Sequence, residues 1–124
     1  MPGELILVVE DNDNNRMLIR DVLRATGYRV VEAENAEDGL RIAADQRPAL
    51  ILMDIQLPGM NGMEALQRLR ADMATRAIPV IAVTASAMTQ DRRQILAAGF
   101  DGYQAKPISV KAFLQTVRET LPSK

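Results

Sequence analysis

Charged and hydroxyl side chains follow four short apolar segments of the chain, each at the point where the segment ends. These side chains belong to Glu10, Asp11, Asp54, Thr84 and Lys106. If the four segments are parallel strands of one sheet, three carboxylates, a hydroxyl and an ammonium meet at one edge of that sheet. Such a set of groups is suited to the transfer of a phosphoryl group to an aspartate in the presence of a divalent cation.

The three carboxylates would repel one another if all were ionised and close together. Two unit charges about 4 Å apart repel by about 4 kcal/mol at an effective dielectric constant near 20. Any one of these acids, taken alone, is most simply explained as a solvated surface charge. Their shared position at strand ends favours a cation site instead. Oxygen ligands from few protein groups favour Mg²⁺, which retains several waters, over Ca²⁺.

Asp54 is the predicted nucleophile because it ends an apolar strand that would hold it rigidly. Lys106 could bind one phosphoryl oxygen as a point charge, and Thr84 could donate a hydrogen bond to another. Each of these two residues also has a simpler explanation, as a solvated lysine and as a β-branched strand residue. Neither simpler explanation accounts for their position at strand ends on the acidic side.

The composition restricts the classes of function. A chain of 124 residues that is 48% hydrophobic can form one domain with its own core. Cysteine and histidine are absent, which excludes disulfides, thiolate metal sites and an imidazole base, ligand or phosphoryl carrier. The net charge of −1 gives no support for a nucleic-acid or anionic-membrane partner. No apolar stretch approaches the roughly 18 residues of a membrane span, so we expect a soluble, cytoplasmic protein.

Short apolar runs alternate with amphipathic segments along the whole chain. Four residues with suitable side chains are predicted to cap helices, namely Asp13, Asn35, Asn61 and Ser109. A further helix is predicted from about Thr89 to Gly99. Helical spacing of apolar residues is seen at Met17, Leu18, Val22 and Leu23 in the first helix, and an inner side is predicted for Val110, Phe113, Leu114, Val117 and Leu121 in the fifth.

Five strand–helix units predict an α/β fold with a parallel sheet and right-handed crossovers. An eightfold barrel needs about 250 residues, so an open, doubly wound sheet is favoured over a closed one. We predict a single domain over residues 1–124. Binding sites in such sheets lie at the carboxyl ends of the strands, where the chemically active residues are found.

The chain resembles the receiver domain of bacterial two-component response regulators in four motifs, which are Glu10-Asp11-Asn12, Asp54 followed by Pro58, Thr84-Ala85 and Lys106-Pro107. The resemblance covers essentially the whole chain. It implies a flavodoxin-like (βα)5 fold with a five-stranded parallel sheet in the order 2-1-3-4-5. It also implies that Asp54 accepts a phosphoryl group from a histidine kinase or a histidine phosphotransferase.

The resemblance assigns roles to further residues. It implies that Mg²⁺ is bound directly by Asp11, Asp54 and the backbone carbonyl of Gln56, and through water by Glu10. Thr84 and Tyr103 match the family's switch pair, in which the hydroxyl moves toward the phosphoryl group and the ring turns inward. Without the resemblance, Tyr103 is adequately explained as an amphipathic ring at a strand edge.

Some family positions concern the lifetime of the phosphoryl group and the geometry of the backbone. Gln56 and Ser86 lie where the family tunes self-dephosphorylation, and Lys106-Pro107 corresponds to the family's cis peptide. Glu10 replaces the commoner aspartate of the acidic pair. Its extra methylene is expected to be tolerated if its contact with the metal runs through water.

The chain ends just after the fifth predicted helix, so we expect a stand-alone receiver without an effector domain, or a module cut from a hybrid kinase or larger regulator. Segments 51–58 and 106–109 resemble single-domain cell-cycle receivers of the DivK type. The resemblance implies an output surface on the fourth helix, fifth strand and fifth helix, presenting Gln90, Arg92, Arg93, Lys111 and Arg118. It also admits a phosphorylation-dependent homodimer. A solvated helical face is the simpler explanation of those basic residues.

Two other classes of protein share parts of the pattern. A flavodoxin-like electron carrier would have the same architecture, but the acids of residues 10–13 would repel the phosphate of FMN. A Mg²⁺-dependent aspartyl phosphohydrolase would need a second acid for the leaving group and usually a cap domain. We therefore predict a signalling phosphoacceptor. It is not expected to be an enzyme, except that it catalyses its own phosphorylation and dephosphorylation.

Overall fold

A computed structural model describes residues 3–84, 89–106 and 108–121, with the backbone alone for residues 89–92. Within these ranges five strands alternate with five helices, in the order β1 (Leu5–Val9), α1 (Asp13–Ala25), β2 (Arg29–Ala33), α2 (Ala36–Gln46), β3 (Leu50–Asp54), α3 (Gly62–Ala71), β4 (Val80–Thr84), α4 (Thr89–Ala97), β5 (Gly102–Ala105) and α5 (Val110–Thr120).

The strands form one parallel sheet in the order β2-β1-β3-β4-β5. The predicted flavodoxin-like order is thereby confirmed. Strand β1 lies between β2 and β3, so the first connection leads to one side of β1 and the second, from β2 to β3, crosses to its other side. The carboxyl ends of β1 and β3 consequently border the topological switch point, which is where open parallel sheets bind their ligands.

Both faces of the sheet are covered, because alternate residues of each central strand point to opposite sides. One face packs on α1 and α5 through a cluster that includes Ile6, Leu52, Ile19, Leu23, Phe113 and Val117. The other face packs on α2, α3 and α4 through a cluster that includes Leu7, Met53, Ala43, Leu66, Leu69 and Ile95. Every residue of β3 and β4 is buried, which explains why these runs contain so few polar residues.

Two of the predicted helix starts agree with the structure in full. Asn35 Oδ1 accepts a hydrogen bond from Asp38 N at 2.8 Å, and Asn61 Oδ1 accepts one from Glu64 N at 3.0 Å. Ser109 occupies the cap position of α5 but forms no side-chain cap hydrogen bond.

The predicted cap of α1 is wrong by one residue. Asn12, with φ −80° and ψ 119°, is the cap, and its Oδ1 accepts a hydrogen bond from Asn15 N at 2.9 Å. Asp13 is already helical, and its carboxylate pairs instead with Arg16 NH2 at 2.6 Å. Both residue types can cap a helix, so the backbone conformation decided between them.

The apolar stripes of α1 and α5 also differ from the prediction. Ile19 and Leu23 are the buried residues of α1, while Met17 and Leu18 are 48% and 42% exposed. Val110 is 47% exposed although it follows the helical spacing of Phe113 and Val117, because it stands at the first position of α5, where the stripe has not yet reached the core. None of the helices within residues 3–84, 89–106 and 108–121 has the length and apolar character of a membrane span.

Candidate functional site

The sheet brings the predicted chemical residues to one edge. Asp54 and Thr84 are the last residues of β3 and β4, and Glu10 directly follows β1. The ladder continues one step beyond the strands, since Glu10 N donates to Ala33 O at 3.0 Å and Lys106 N donates to Thr84 O at 2.8 Å. The backbone hydrogen bonds of the sheet therefore fix where each of these side chains starts.

One ammonium bridges two buried carboxylates at this edge. Lys106 Nζ lies 2.6 Å from Glu10 Oε1 and 3.0 Å from Asp54 Oδ2. Glu10 and Asp54 are only 1% and 4% exposed. Buried carboxylates are costly unless they are paired, so the lysine is part of what allows two acids to lie side by side here.

Backbone amides hold the remaining oxygens of the two acids. Gln56 N donates to Asp54 Oδ1 at 2.9 Å, and Asn12 N donates to Glu10 Oε2 at 3.1 Å. In each case the donor lies two residues after the acid, so the loop leaving the strand orients the carboxylate. Asp54 is thus held from opposite sides, by an amide on one oxygen and an ammonium on the other.

Asp11 completes a cluster of oxygen ligands. One carboxylate oxygen each of Glu10, Asp11 and Asp54 lies within 4.8 Å of the other two, and Asp11 is the exposed member. Glu10 Oε1 is buried, and the Lys106 ammonium lies 2.6 Å from it. Three carboxylates clustered in this way fit a hard divalent cation such as Mg²⁺.

The pKa values of the buried groups reflect the same crowding. Burial is the largest cause that raises the pKa of Glu10 from 4.5 to about 7; the neighbouring Asp54 raises it further, while Lys106 and the Asn12 amide oppose the change. Burial acts to lower the pKa of Lys106, but its pairing with Glu10 and Asp54 outweighs burial and raises it. Lys106 therefore remains charged at neutral pH, where Glu10 titrates in the metal-free protein.

Thr84 and Tyr103 lie on neighbouring strands and on the same face of the sheet. Ala82 is the register partner of Tyr103, and Thr84 is two residues further along β4. Thr84 is 2% exposed, and the partly buried Tyr103 ring packs against the cluster that α4 covers. The structure thus places the Thr84 and Tyr103 side chains on one face of the sheet, on neighbouring strands and two positions apart in register.

Several predicted residues lie outside the described parts of the chain. Ser86, Ala85 and Pro107 are among them, and so are the side chains of Gln90 and Arg92. Arg93, Lys111 and Arg118 are exposed on α4 and α5. The side chain of Gln56 is exposed next to Asp54.

Sequence reasoning missed Arg16, which donates from NH1 to the backbone carbonyl of Glu10 at 2.9 Å. Helical side chains lean toward the helix N-terminus, so a long side chain one turn into α1 can reach back to the preceding turn. The position of an arginine one turn into α1 is therefore the sequence signal that could have identified this contact. The amide of Asn12 was missed as well, because only its side chain suggests a role.

Comparison with known proteins identifies the family. A sequence model of the response regulator receiver domain matches residues 6–118. The chain belongs to this family. It is 45% identical over 116 residues to the polar-differentiation response regulator DivK of Brucella anthropi, and the match covers 94% of each protein. The predicted resemblance to DivK-type receivers is confirmed.

Solved structures agree with this assignment. The receiver domain of the sensor histidine kinase PA1611 from Pseudomonas aeruginosa PAO1 is 38% identical, with a TM-score of 0.89 and coverage of 98% of this chain and 99% of that one. Its crystal structure contains a magnesium ion coordinated in the active-site cleft. The chemotaxis regulator CheY4 of Vibrio cholerae, at 24% identity, has a TM-score of 0.89 over 96% of this chain and 99% of its own, and shows the shared fold alone. The protein is a phosphoacceptor receiver of two-component signalling.

Proposed function

We propose that Asp54 is the phosphoacceptor, and that its phosphoryl group comes from a histidine of a sensor kinase or a histidine phosphotransferase. The observation that carries the proposal is the fixed carboxylate, held by Gln56 N at 2.9 Å and Lys106 Nζ at 3.0 Å beside a second buried acid. A nucleophile held in this way loses little freedom when it reacts.

In the proposed transfer, a carboxylate oxygen of Asp54 attacks the phosphorus of the donor phosphohistidine. The new P–O bond forms while the P–N bond breaks, and the electron pair leaves with the imidazole of the donor. We assign the attack to Oδ2, since Oδ1 accepts the Gln56 amide, whereas the partner of Oδ2 is a lysine side chain that can follow the incoming group. Lys106 then binds a phosphoryl oxygen as a point charge.

We assign the Mg²⁺ site to Asp11, Asp54 and the backbone carbonyl of Gln56 as direct ligands, with Glu10 acting through water. Support comes from the three clustered carboxylates and from the magnesium in the PA1611 receiver. When bound, Mg²⁺ supplies positive charge beside the acceptor and the phosphoryl oxygens. Glu10, with a raised pKa, provides a carboxylate that becomes fully ionised when a cation is present.

The signalling step is proposed to use Thr84 and Tyr103. Thr84 donates its hydroxyl hydrogen to the new phosphoryl group, and Tyr103 turns into the space that the threonine leaves. Their common face of the sheet supports this coupling. The resulting change is presented to a downstream protein, or to a second copy of the chain, on the surface of α4, β5 and α5, which carries Arg93, Lys111 and Arg118.

The remaining features of the proposal come from the family resemblance and from the composition of the chain. The protein acts as a single receiver domain over residues 1–124, in the cytoplasm, and catalyses only its own phosphorylation and dephosphorylation. Gln56 and Ser86 set the lifetime of the phosphoryl group. Neither nucleic acid nor a membrane is a partner.

Labelling with radioactive acetyl phosphate and Mg²⁺ tests the assignment of the acceptor. The variant Asp54→Asn keeps the size of the side chain and removes the nucleophilic oxygen, so we expect its labelling to be lost. Asp45→Asn, which changes an exposed aspartate of α2, is the matched control and is expected to label like the wild type. Undiminished labelling of a folded Asp54→Asn protein, judged by circular dichroism, would refute the proposal.

A further inference from the structure

A guanidinium from α1 holds the turn that carries the acidic pair. Arg16 NH1 donates to the backbone carbonyl of Glu10 at 2.9 Å, and the Arg16 side chain is only 15% exposed. This carbonyl belongs to the peptide that joins Glu10 to Asp11. The direction in which the Asp11 carboxylate leaves the backbone therefore depends on a peptide that Arg16 fixes.

Arg16 is itself held by acids from two directions. Its NH2 lies 2.6 Å from Asp13 Oδ1, and its Nε lies 3.5 Å from Glu32 Oε1. Glu34 Oε1 lies farther away, at 3.9 Å from NH2. The guanidinium thereby connects the first turn of α1, strand β2 and the acidic turn, and its planar fork suits several fixed acceptors better than an ammonium would.

Asp11 needs such external support more than the other two acids. Glu10 and Asp54 are buried and have amide and ammonium partners, whereas Asp11 is exposed. An exposed carboxylate gains its orientation from the backbone that carries it rather than from packing. The peptide held by Arg16 is the structural element that aims this carboxylate at the other two.

We propose that Arg16 is a positioning residue for the divalent-cation site, acting through the Glu10–Asp11 peptide and not as a ligand. This inference rests on the proposed binding of Mg²⁺ by Glu10, Asp11 and Asp54. Removing a group that orients a metal ligand through a hydrogen bond typically weakens metal binding by about 10- to 100-fold.

Charge and position predict opposite effects of removing Arg16. The guanidinium has the same sign of charge as the metal, so electrostatics alone predicts that Mg²⁺ binds more tightly once it is gone. Positioning predicts weaker binding, because the Asp11 carboxylate then samples orientations that do not face the cluster. The sign of the change in affinity therefore separates the two explanations.

The experiment is a titration of the 124-residue chain with Mg²⁺, monitored by isothermal calorimetry and by NMR of the backbone amides. Arg16→Met removes the donor and keeps a helix-forming side chain. Arg20→Met is the matched control, since Arg20 lies one turn further along α1 and contacts Asp21 and Glu32. Arg16→Lys keeps the positive charge but lacks the planar guanidinium with its several fixed donors. All measurements are made below the melting temperature, with circular dichroism as a check of folding.

We expect Arg16→Met to weaken Mg²⁺ binding by about tenfold, the lower end of the effect of such supporting groups. Arg20→Met is expected to stay within about twofold of the wild type, as for a partly exposed ion pair. Arg16→Lys should fall between them. In the metal-free protein, the amide signals of Asp11 and Asn12 should shift in Arg16→Met and stay in place in Arg20→Met.

Unchanged or tighter binding by Arg16→Met would overturn the inference, and so would an equal loss in both Met variants. If Arg16→Met does not fold, Arg16→Lys decides, because wild-type affinity in that variant would overturn the inference as well. A wild-type chain that binds no Mg²⁺ would remove the proposed metal site together with this inference. Normal wild-type binding with unaffected Arg16 variants would remove this inference alone.

Discussion

Replacing Lys106 by methionine tests the central electrostatic arrangement of the site. Lys106 Nζ is within 3.0 Å of two carboxylates that are almost fully buried, and its own side chain is 15% exposed. Removing one partner of a buried ion pair costs about 3–5 kcal/mol. Because water reaches the lysine, we expect the lower end of this range, about 3 kcal/mol of unfolding free energy near pH 8.

The cost should depend on pH, because Glu10 offers a way to relieve the repulsion. Its raised pKa of about 7 means that it can take up a proton when the ammonium is lost. In acid, near pH 5.5, we therefore expect the cost of Lys106→Met to fall to about 1 kcal/mol. Mg²⁺ should stabilise this variant more than the wild type, since the variant has one cation fewer competing for the same oxygens.

The assay is urea unfolding at both pH values, in EDTA and in Mg²⁺. Lys111→Met is the matched control, because Lys111 is exposed at the start of α5 and should cost no more than about 0.5 kcal/mol. If Lys106→Met in EDTA near pH 8 were no less stable than Lys111→Met, the two buried carboxylates would not depend on the ammonium. The burial of Glu10 and Asp54 would then have another cause than their pairing with Lys106.

Two further predictions concern the same edge of the sheet. The folded protein binds the Glu10 proton more tightly than the unfolded chain, so the unfolding free energy in EDTA should fall by at most about 3 kcal/mol as the pH rises from about 4.5 through about 7. Urea unfolding of Glu10→Gln, or of the wild type in Mg²⁺, should give a flatter profile, and equal slopes in all three would contradict the raised pKa. A Cβ added in Gly62→Ala would lie 2.7 Å from Asp54 O and Ile55 Cα, so we expect a loss of about 1–3 kcal/mol and slower labelling by acetyl phosphate. If Gly62→Ala had wild-type stability and labelling, the backbone at Asp54 and Ile55 would be able to move and accommodate the methyl group without cost, and this prediction would be wrong.

The position of the site at the sheet edge could be predicted from the sequence because a parallel sheet is a strong constraint. The apolar runs of β3 and β4 are buried on both faces, so their few polar residues mark the strand ends. Parallel pairing then brings those ends together whatever the loops do. The convergence of Asp54, Thr84 and Lys106 needed only the order of the strands.

The supporting contacts could not be predicted in the same way, because they depend on local backbone conformation. Asn12 and Asp13 are both good capping residues, and only the extended backbone of Asn12 decides that it caps α1 while Asp13 pairs with Arg16. Val110 follows the apolar pattern of α5 but stands at its first position, where the stripe has not yet reached the core.

The raised pKa of Glu10 and the contact of Arg16 with the Glu10 carbonyl could not be predicted either, because both depend on local backbone conformation. The sequence shows two adjacent acids after β1, but not that the first is 1% exposed while the second is exposed. That difference arises where the chain leaves the sheet, in a turn fixed by Ala33 O, the Asn12 amide and the Arg16 guanidinium. Burial gives Glu10 its raised pKa, and exposure leaves Asp11 dependent on its backbone. The turn therefore makes two similar side chains different: Glu10 is a buried acid with a pKa raised to about 7, and Asp11 is an exposed acid, the proposed ligand that Arg16 of α1 is proposed to orient.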